Sequence, residues 1–138
     1  MSNFDFIVAP EHDSINGENV ISTKGAIHYL TENEINENKN YLNSFIKKDE
    51  RKIWTLIMGG PTKYYDYSTK NMKHIFTLLD RLLKKYAFQL VVIPSMRTPK
   101  DIIQYAKEFF GENHTVIIDV DKKAYLSALA IAENIIVT

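Results

Sequence analysis

The chain has 138 residues, enough for one domain with a real core, and its 17 Lys and Arg balance 17 Asp and Glu. With no net basic field nothing draws it to nucleic acid, and with no acidic block there is no charged tail. It has no cysteine, which excludes disulfides, thiolate metal sites and cysteine nucleophiles. The opening Met1-Ser2-Asn3-Phe4-Asp5 lacks the basic and apolar regions of a secretory signal. No apolar run approaches the roughly 20 residues that span a bilayer. The expectation is a cytoplasmic protein with no transmembrane segment.

Residues 4–9 are a short apolar run stopped by Pro10 and read as a buried strand. Glu11-His12-Asp13 follows at its carboxyl end, where α/β proteins place ligands, although a solvated loop explains the same three residues. Asn16-Gly17 marks a turn, residues 19–22 a short strand, and Gly25 a break. Thr31 and Glu34 have capping-box spacing, so a helix is expected over 32–48, with Ile35, Leu42, Phe45 and Ile46 as a thin apolar stripe. That pattern suits an exposed connector. The mixed charges of residues 47–52 suit a solvated link between two structural units.

Residues 52–58 are a buried apolar strand that Gly59-Gly60-Pro61 stops. The clearest helix of the chain follows over 69–86, opened by Ser68 and Thr69, with Met72, Ile75, Phe76, Leu79, Leu82, Leu83 and Tyr86 at helical spacing. Residues 88–93 are a β-branched run typical of a strand covered on both faces, ended by Pro94. In Ser95-Met96-Arg97-Thr98-Pro99, Thr98 is placed as an N-cap and Pro99 as the first helical residue. The helix 99–110 turns Ile102, Ile103, Ala106 and Phe109 or Phe110 inward, and Gly111 stops it. A strand over 115–118 follows, then a helix capped by Asp121 with Tyr125, Leu126, Leu129 and Ala130 inward, then a strand over 134–138.

From residue 52 onward strands alternate with helices, which predicts an α/β fold with a parallel sheet and right-handed crossovers. The doubly wound order for these four strands is 3-2-1-4, and strands one and four then flank the topological switch point. A strand ending in Gly-Gly and feeding a helix is a common way to present backbone N–H groups to an anion, and a tight turn after a core strand is the plainer alternative. The loop that would follow strand four is missing because the chain stops at Thr138, so the expectation is a truncated or split chain.

Five segments together carry a resemblance. They are 4–13, Gly25-Ala26-Ile27-His28, Leu56-Ile57-Met58-Gly59-Gly60-Pro61, Ser95-Met96-Arg97-Thr98-Pro99, and Tyr125 through Leu129-Ala130-Ile131-Ala132 to Ile136-Val137-Thr138. In that order they resemble the "elongated mitochondria" fission-factor family of plants and its bacterial relatives, over nearly the whole chain. That family looks like GT-B glycosyltransferases, with two Rossmann-like domains facing a cleft. The resemblance implies that residues 1–30 are the tail of an N-terminal domain and its linker. Residues 31–51 would be the connecting helix and charged link, and residues 52–138 part of a Rossmann-like C-terminal domain. The sequence departs from the family where a pair of arginines before Thr-Pro reads Met96-Arg97. It departs again where Asn-Pro before the tyrosine reads Lys123-Ala124, and the Asp-Ser-x-Ser-Met segment that follows Val-Thr is absent.

Two functional classes follow. As a nucleotide-sugar transferase-like protein, the chain would bring Gly59 and Gly60 amides and the Arg97 guanidinium to a diphosphate, with Ser95 or Thr98 as hydrogen-bond donors. Glu11, His12 and Asp13 would be acid/base or acceptor-binding candidates across the cleft, His12 being the natural proton carrier near neutrality. A nucleotide sugar would be a substrate, no cofactor is called for, and catalysis by this chain alone is not expected. As an interaction module or remnant, it would use the tyrosines of residues 62–67, which equally suit closing over the crevice or supporting the loop. The strand over 134–138 would be an apolar edge, favouring a homodimer, and a separately encoded second half would complement the chain. His28, His74 and His114 have no metal-ligand spacing, and Asp119 and Asp121 lie away from the switch point, so no metal site is expected.

Overall fold

The computed structural model describes residues 4–138; Met1–Asn3, where the reading of the N-terminal segment begins, lie outside the described residues. The chain divides into two compact units, Met1–Thr31 and Glu32–Thr138. In the first, strand β1 (Ile7–Pro10) pairs in parallel with β2 (Val20–Thr23), Ile7 opposite Val20 and Pro10 opposite Thr23. A 3-10 turn at Glu11–Asp13 follows β1, and Ser14 closes it in the left-handed conformation at φ 53°. The expectation of a buried strand over 4–9 is corrected here. Ala9 is buried, whereas Phe4, Phe6 and Val8 are exposed. A two-stranded pair has too little surface to cover its own side chains.

The second unit opens with helix α1 (Glu32–Glu37) and a 3-10 turn at Tyr41–Ser44. The single helix expected over 32–48 does not form. Asn38 turns its side chain back onto the Glu34 carbonyl at 2.8 Å, which competes with the helical ladder. Beyond it, the Ser127 hydroxyl donates to the Lys39 carbonyl at 2.9 Å and accepts the Leu42 amide at 3.1 Å. These tertiary bonds take the place of helical ones and leave Leu42 fully buried against Val91, Ile93, Ala124 and Ala128. Leu42 thus anchors the segment to the sheet, while α1 has no fully buried residue and Phe45 stays exposed. The charged link is tied down as well. Gln89 accepts from the Lys47 amide at 3.2 Å and donates to its carbonyl at 3.1 Å, and Arg51 pairs with Asp49 at 2.7 Å while donating to the Asn113 carbonyl at 2.9 Å.

Strands β3 (Ile53–Met58), β4 (Gln89–Pro94), β5 (Thr115–Val116) and β6 (Asn134–Val137) form one parallel sheet in the order β5-β4-β3-β6. Counted from β3 that order is 3-2-1-4. Alternate residues of β4 face opposite layers. Leu90 and Val92 pack with Phe76, Leu79, Leu83, Ile102 and Phe110, from helices α2 (Thr69–Tyr86) and α3 (Lys100–Phe110). Val91 and Ile93 pack with Leu42 and helix α4 (Lys122–Ile131). Helix α2 keeps the predicted span, starting at the Ser68 cap and ending on Ala87 in the left-handed conformation, whose amide returns to the Leu83 carbonyl. In α4 the buried face is Ala124, Leu126, Ser127 and Ala128, with Tyr125, Leu129 and Ala130 only half-buried. Small side chains let this helix approach closely enough for the Thr55 hydroxyl to reach the Ala128 carbonyl at 3.2 Å. Among the described residues no helix is long and apolar enough to cross a membrane.

Candidate functional site

The carboxyl ends of β3, β4 and β6 converge, and two loops leave them, residues 59–68 toward α2 and residues 95–99 toward α3. Gly59 and Gly60 are required by this convergence. A Cβ on Gly59 would overlap the Thr138 carbonyl oxygen, and one on Gly60 would overlap the carbonyl of Arg97. The Gly59 amide donates to the Thr138 oxygen at 3.0 Å. It is therefore engaged by the protein.

Thr98 serves the same convergence. It does not cap α3, whose cap position is Pro99 with no side-chain bond. Its hydroxyl accepts the Ser95 amide at 2.9 Å and shares its one proton between the carbonyls of Gly59, at 2.7 Å, and Met58, at 2.9 Å. Ser95 adds a longer bond from its hydroxyl to the Gly59 carbonyl at 3.4 Å. Both side chains are spent locking the two loops together. Arg97 is the polar group of this loop that projects, its Nη2 donating to the Pro61 carbonyl at 3.4 Å with the side chain otherwise exposed.

A cavity of about 1230 Å³ opens beside this junction, walled by Gly59, Gly60, Arg97 and Thr138 on one side and by the β3–α2 loop and the start of α2 on the other. Tyr67 lies at its base, its hydroxyl 2.6 Å from Thr138 Oγ1, and burial pushes that phenol's pKa up. Lys70, Asn71 and His74 line it from the first turns of α2, and Tyr64 and Tyr65 from the loop. Sequence reasoning had not singled out Lys70 or Asn71, and had weighed His74 only as a metal ligand. Their signal is the spacing 70, 71, 74, which puts all three on one side of the helix start. Beside Arg97, Lys70 and His74 the lining holds one carboxylate, Asp66, whose backbone carbonyl accepts from Asn71 Nδ2 at 3.0 Å.

Of the predicted site residues, the structure brings Gly59, Gly60, Ser95, Arg97 and Thr98 together. Glu11, His12 and Asp13 form the 3-10 turn of the first unit, all exposed, with His12 Nε2 3.6 Å from Asp13 Oδ1. Asp121 caps α4 through the amides of Lys123 and Ala124. The Tyr41 hydroxyl donates to it at 2.6 Å, and that bond is the main reason its carboxyl is held below the usual range. Among the described residues no group of three or more His, Asp or Glu is placed to hold a metal.

All 138 positions, residues 1–138, match the family model described as Mitochondrial fission ELM1, and the chain belongs to that family. No curated protein and no solved structure matches it.

Proposed function

We propose that this chain is a GT-B-like, nucleotide-sugar transferase-like member of its family that binds the diphosphate of its ligand in the cavity beside Gly60 and Arg97 and does not catalyse transfer alone. In this reading residues 1–30 belong to an N-terminal domain with its linker, and residues 52–138 to a Rossmann-like C-terminal domain. Glu11, His12 and Asp13 are the acid/base or acceptor-binding candidates of the former.

The observation that carries the reading is the position of the cavity. It lies outside the carboxyl ends of adjacent parallel strands, β3 and β6, at the point where the strand order reverses, which is where open α/β sheets bind ligands. Two fixed cations, Arg97 and Lys70, face into it. A guanidinium matches a phosphate with two parallel bonds and stays charged at any working pH. Because the Gly59 amide is engaged, these cations supply the main anion contact, and Gly60 allows close approach. Titration calorimetry with uridine diphosphate tests the reading. The parent should bind, and Arg97→Gln should weaken binding about tenfold or more, the worth of a charge-assisted hydrogen bond. Equal heats from both, or none from the parent, overturn it.

A second reading, a protein-interaction module, rests on one flank of α2. Ile75, Leu78, Leu82 and Tyr86 all remain exposed there, one helical turn apart. Ile135 and Val137 on β6 are exposed too and suit a homodimer. Light scattering across a concentration series separates this reading from the first, because a monomer at high concentration removes the homodimer.

A further inference from the structure

The β3–α2 loop is a built turn. Thr62 and Tyr65 exchange backbone bonds of 3.2 and 3.3 Å, and the Thr62 hydroxyl accepts the amides of Tyr64 at 3.2 Å and Tyr65 at 3.1 Å. Asn71 ties the loop to the start of α2 through the Asp66 carbonyl. Its three tyrosines divide into two groups. Tyr67 is buried and hydrogen-bonded, which accounts for its place in the fold. Tyr64 and Tyr65 are 77% and 73% exposed, yet both line the cavity. Lys63 stands over the Tyr64 ring at 4.7 Å, adding a cation at the same rim.

Two large rings left mostly in water on a hydrogen-bonded turn contribute little to stability, since only a small part of their area is removed from solvent. They suit recognition instead. A tyrosine offers a wide flat surface with few rotatable bonds to immobilise. Here the rings line a cavity that also holds two fixed cations, Arg97 and Lys70, against a single side-chain carboxylate, Asp66. A ligand that satisfies both has a planar apolar ring at one end and an anionic group at the other.

Resting on the anion reading above, we propose that the cavity is a nucleotide site in which the base stacks on Tyr65, with Tyr64 beside it, while the phosphates meet Arg97 and Lys70. The tyrosines then set the preference for a base-bearing ligand over a bare phosphate. Stacking tolerates any base, so the site discriminates poorly between uracil and adenine.

The test is a set of calorimetric titrations of the parent, Tyr64→Ala, Tyr65→Ala and Tyr65→Phe with inorganic pyrophosphate, uridine diphosphate and adenosine diphosphate. The parent should bind both nucleotides about 5- to 100-fold more tightly than pyrophosphate, the range expected for one stacked base. Tyr65→Ala should lose most of that preference, Tyr64→Ala part of it, and Tyr65→Phe none, while pyrophosphate affinity stays the same in all four proteins. If pyrophosphate binds the parent as tightly as the nucleotides, or if both alanine variants keep the full preference, the stacking site is overturned and the anion site stands. If the parent binds none of the three ligands, both fall together.

Discussion

Replacing Thr98 with valine isolates the junction on which the site is built. The side chain is 7% exposed and valine has nearly its shape, so no cavity opens and the loss is confined to hydrogen bonds. Two are lost. The Ser95 amide loses its acceptor at 2.9 Å, and the carbonyl pair of Met58 and Gly59 loses its donor. The Gly59 carbonyl retains the long 3.4 Å bond from Ser95, which replaces little. A buried polar group left unpaired costs about 1–3 kcal/mol, so the amide and the carbonyl pair, counted as two groups, together cost about 2–6 kcal/mol. That is a large part of the 5–15 kcal/mol typical of a domain, and at about 4 °C per kcal/mol it lowers the melting temperature by about 8–24 °C. Trp54, the one tryptophan of the chain, lies in β3 and reports unfolding of this unit by fluorescence in urea. Thr98→Ser keeps the hydroxyl and should recover most of the loss. A valine variant within about 0.5 kcal/mol of the parent, or a serine variant as unstable as the valine one, refutes the assignment of Thr98 to the junction.

Gly60→Ala should destabilise by about 1–3 kcal/mol through forced displacement of the Arg97 backbone, whereas Gly25→Ala, with nothing within 4 Å of the added carbon, should melt like the parent by circular dichroism. His114 should make stability depend on pH. Burial, with Arg51 second, holds its imidazole below 6.5, and its Nδ1 accepts the Leu90 amide at 3.1 Å, a bond that protonation there removes. The unfolded chain therefore takes up the proton first, so this contribution is complete above pH 6.5 and is lost as pH falls below it toward the folded value. Urea midpoints from pH 7.5 down to 5 should fall less steeply in His114→Asn, which keeps an acceptor in place but does not titrate. Equal slopes for the two proteins would remove His114 as the cause.

The sheet and its longest helix were legible because each is fixed by a local signal. Ser68 caps α2, Met72, Phe76, Leu79 and Leu83 repeat at the helical period, and the run from Gln89 to Ile93 is apolar enough to be covered on both faces. Where reading failed, a distant partner had decided the outcome. The capping pattern at residues 31–34 and the spacing of Ile35, Leu42 and Ile46 suited one helix, but Ser127 in α4 holds the chain open at Lys39 and Leu42. In α4 the spacing suits Tyr125, Leu126, Leu129 and Ala130 as the inner face, and of these Leu126 is fully buried while the other three are half-buried. Close approach to β3 selected Ala124 and Ala128 instead, because a bulky side chain there would hold the Thr55 hydroxyl away from the Ala128 carbonyl.

The glycine pair shows why the site was harder to read than the fold. A Gly-Gly after a strand signals that something approaches the backbone closely, and sequence cannot say whether that is a ligand or another part of the chain. Here Thr138 meets Gly59 and the Arg97 backbone meets Gly60, so both glycines are explained by the protein before any ligand enters. Yet the same approach brings Arg97 and the end of β6 into the lining of the cavity that Tyr65 and Lys70 also line. No spacing rule links residues 65, 70, 97 and 138, and only the parallel order of the strands makes them neighbours. The cavity thus combines Arg97 and the loop tyrosines, which stood out in the sequence, with Lys70, which did not, and the glycines let these elements converge.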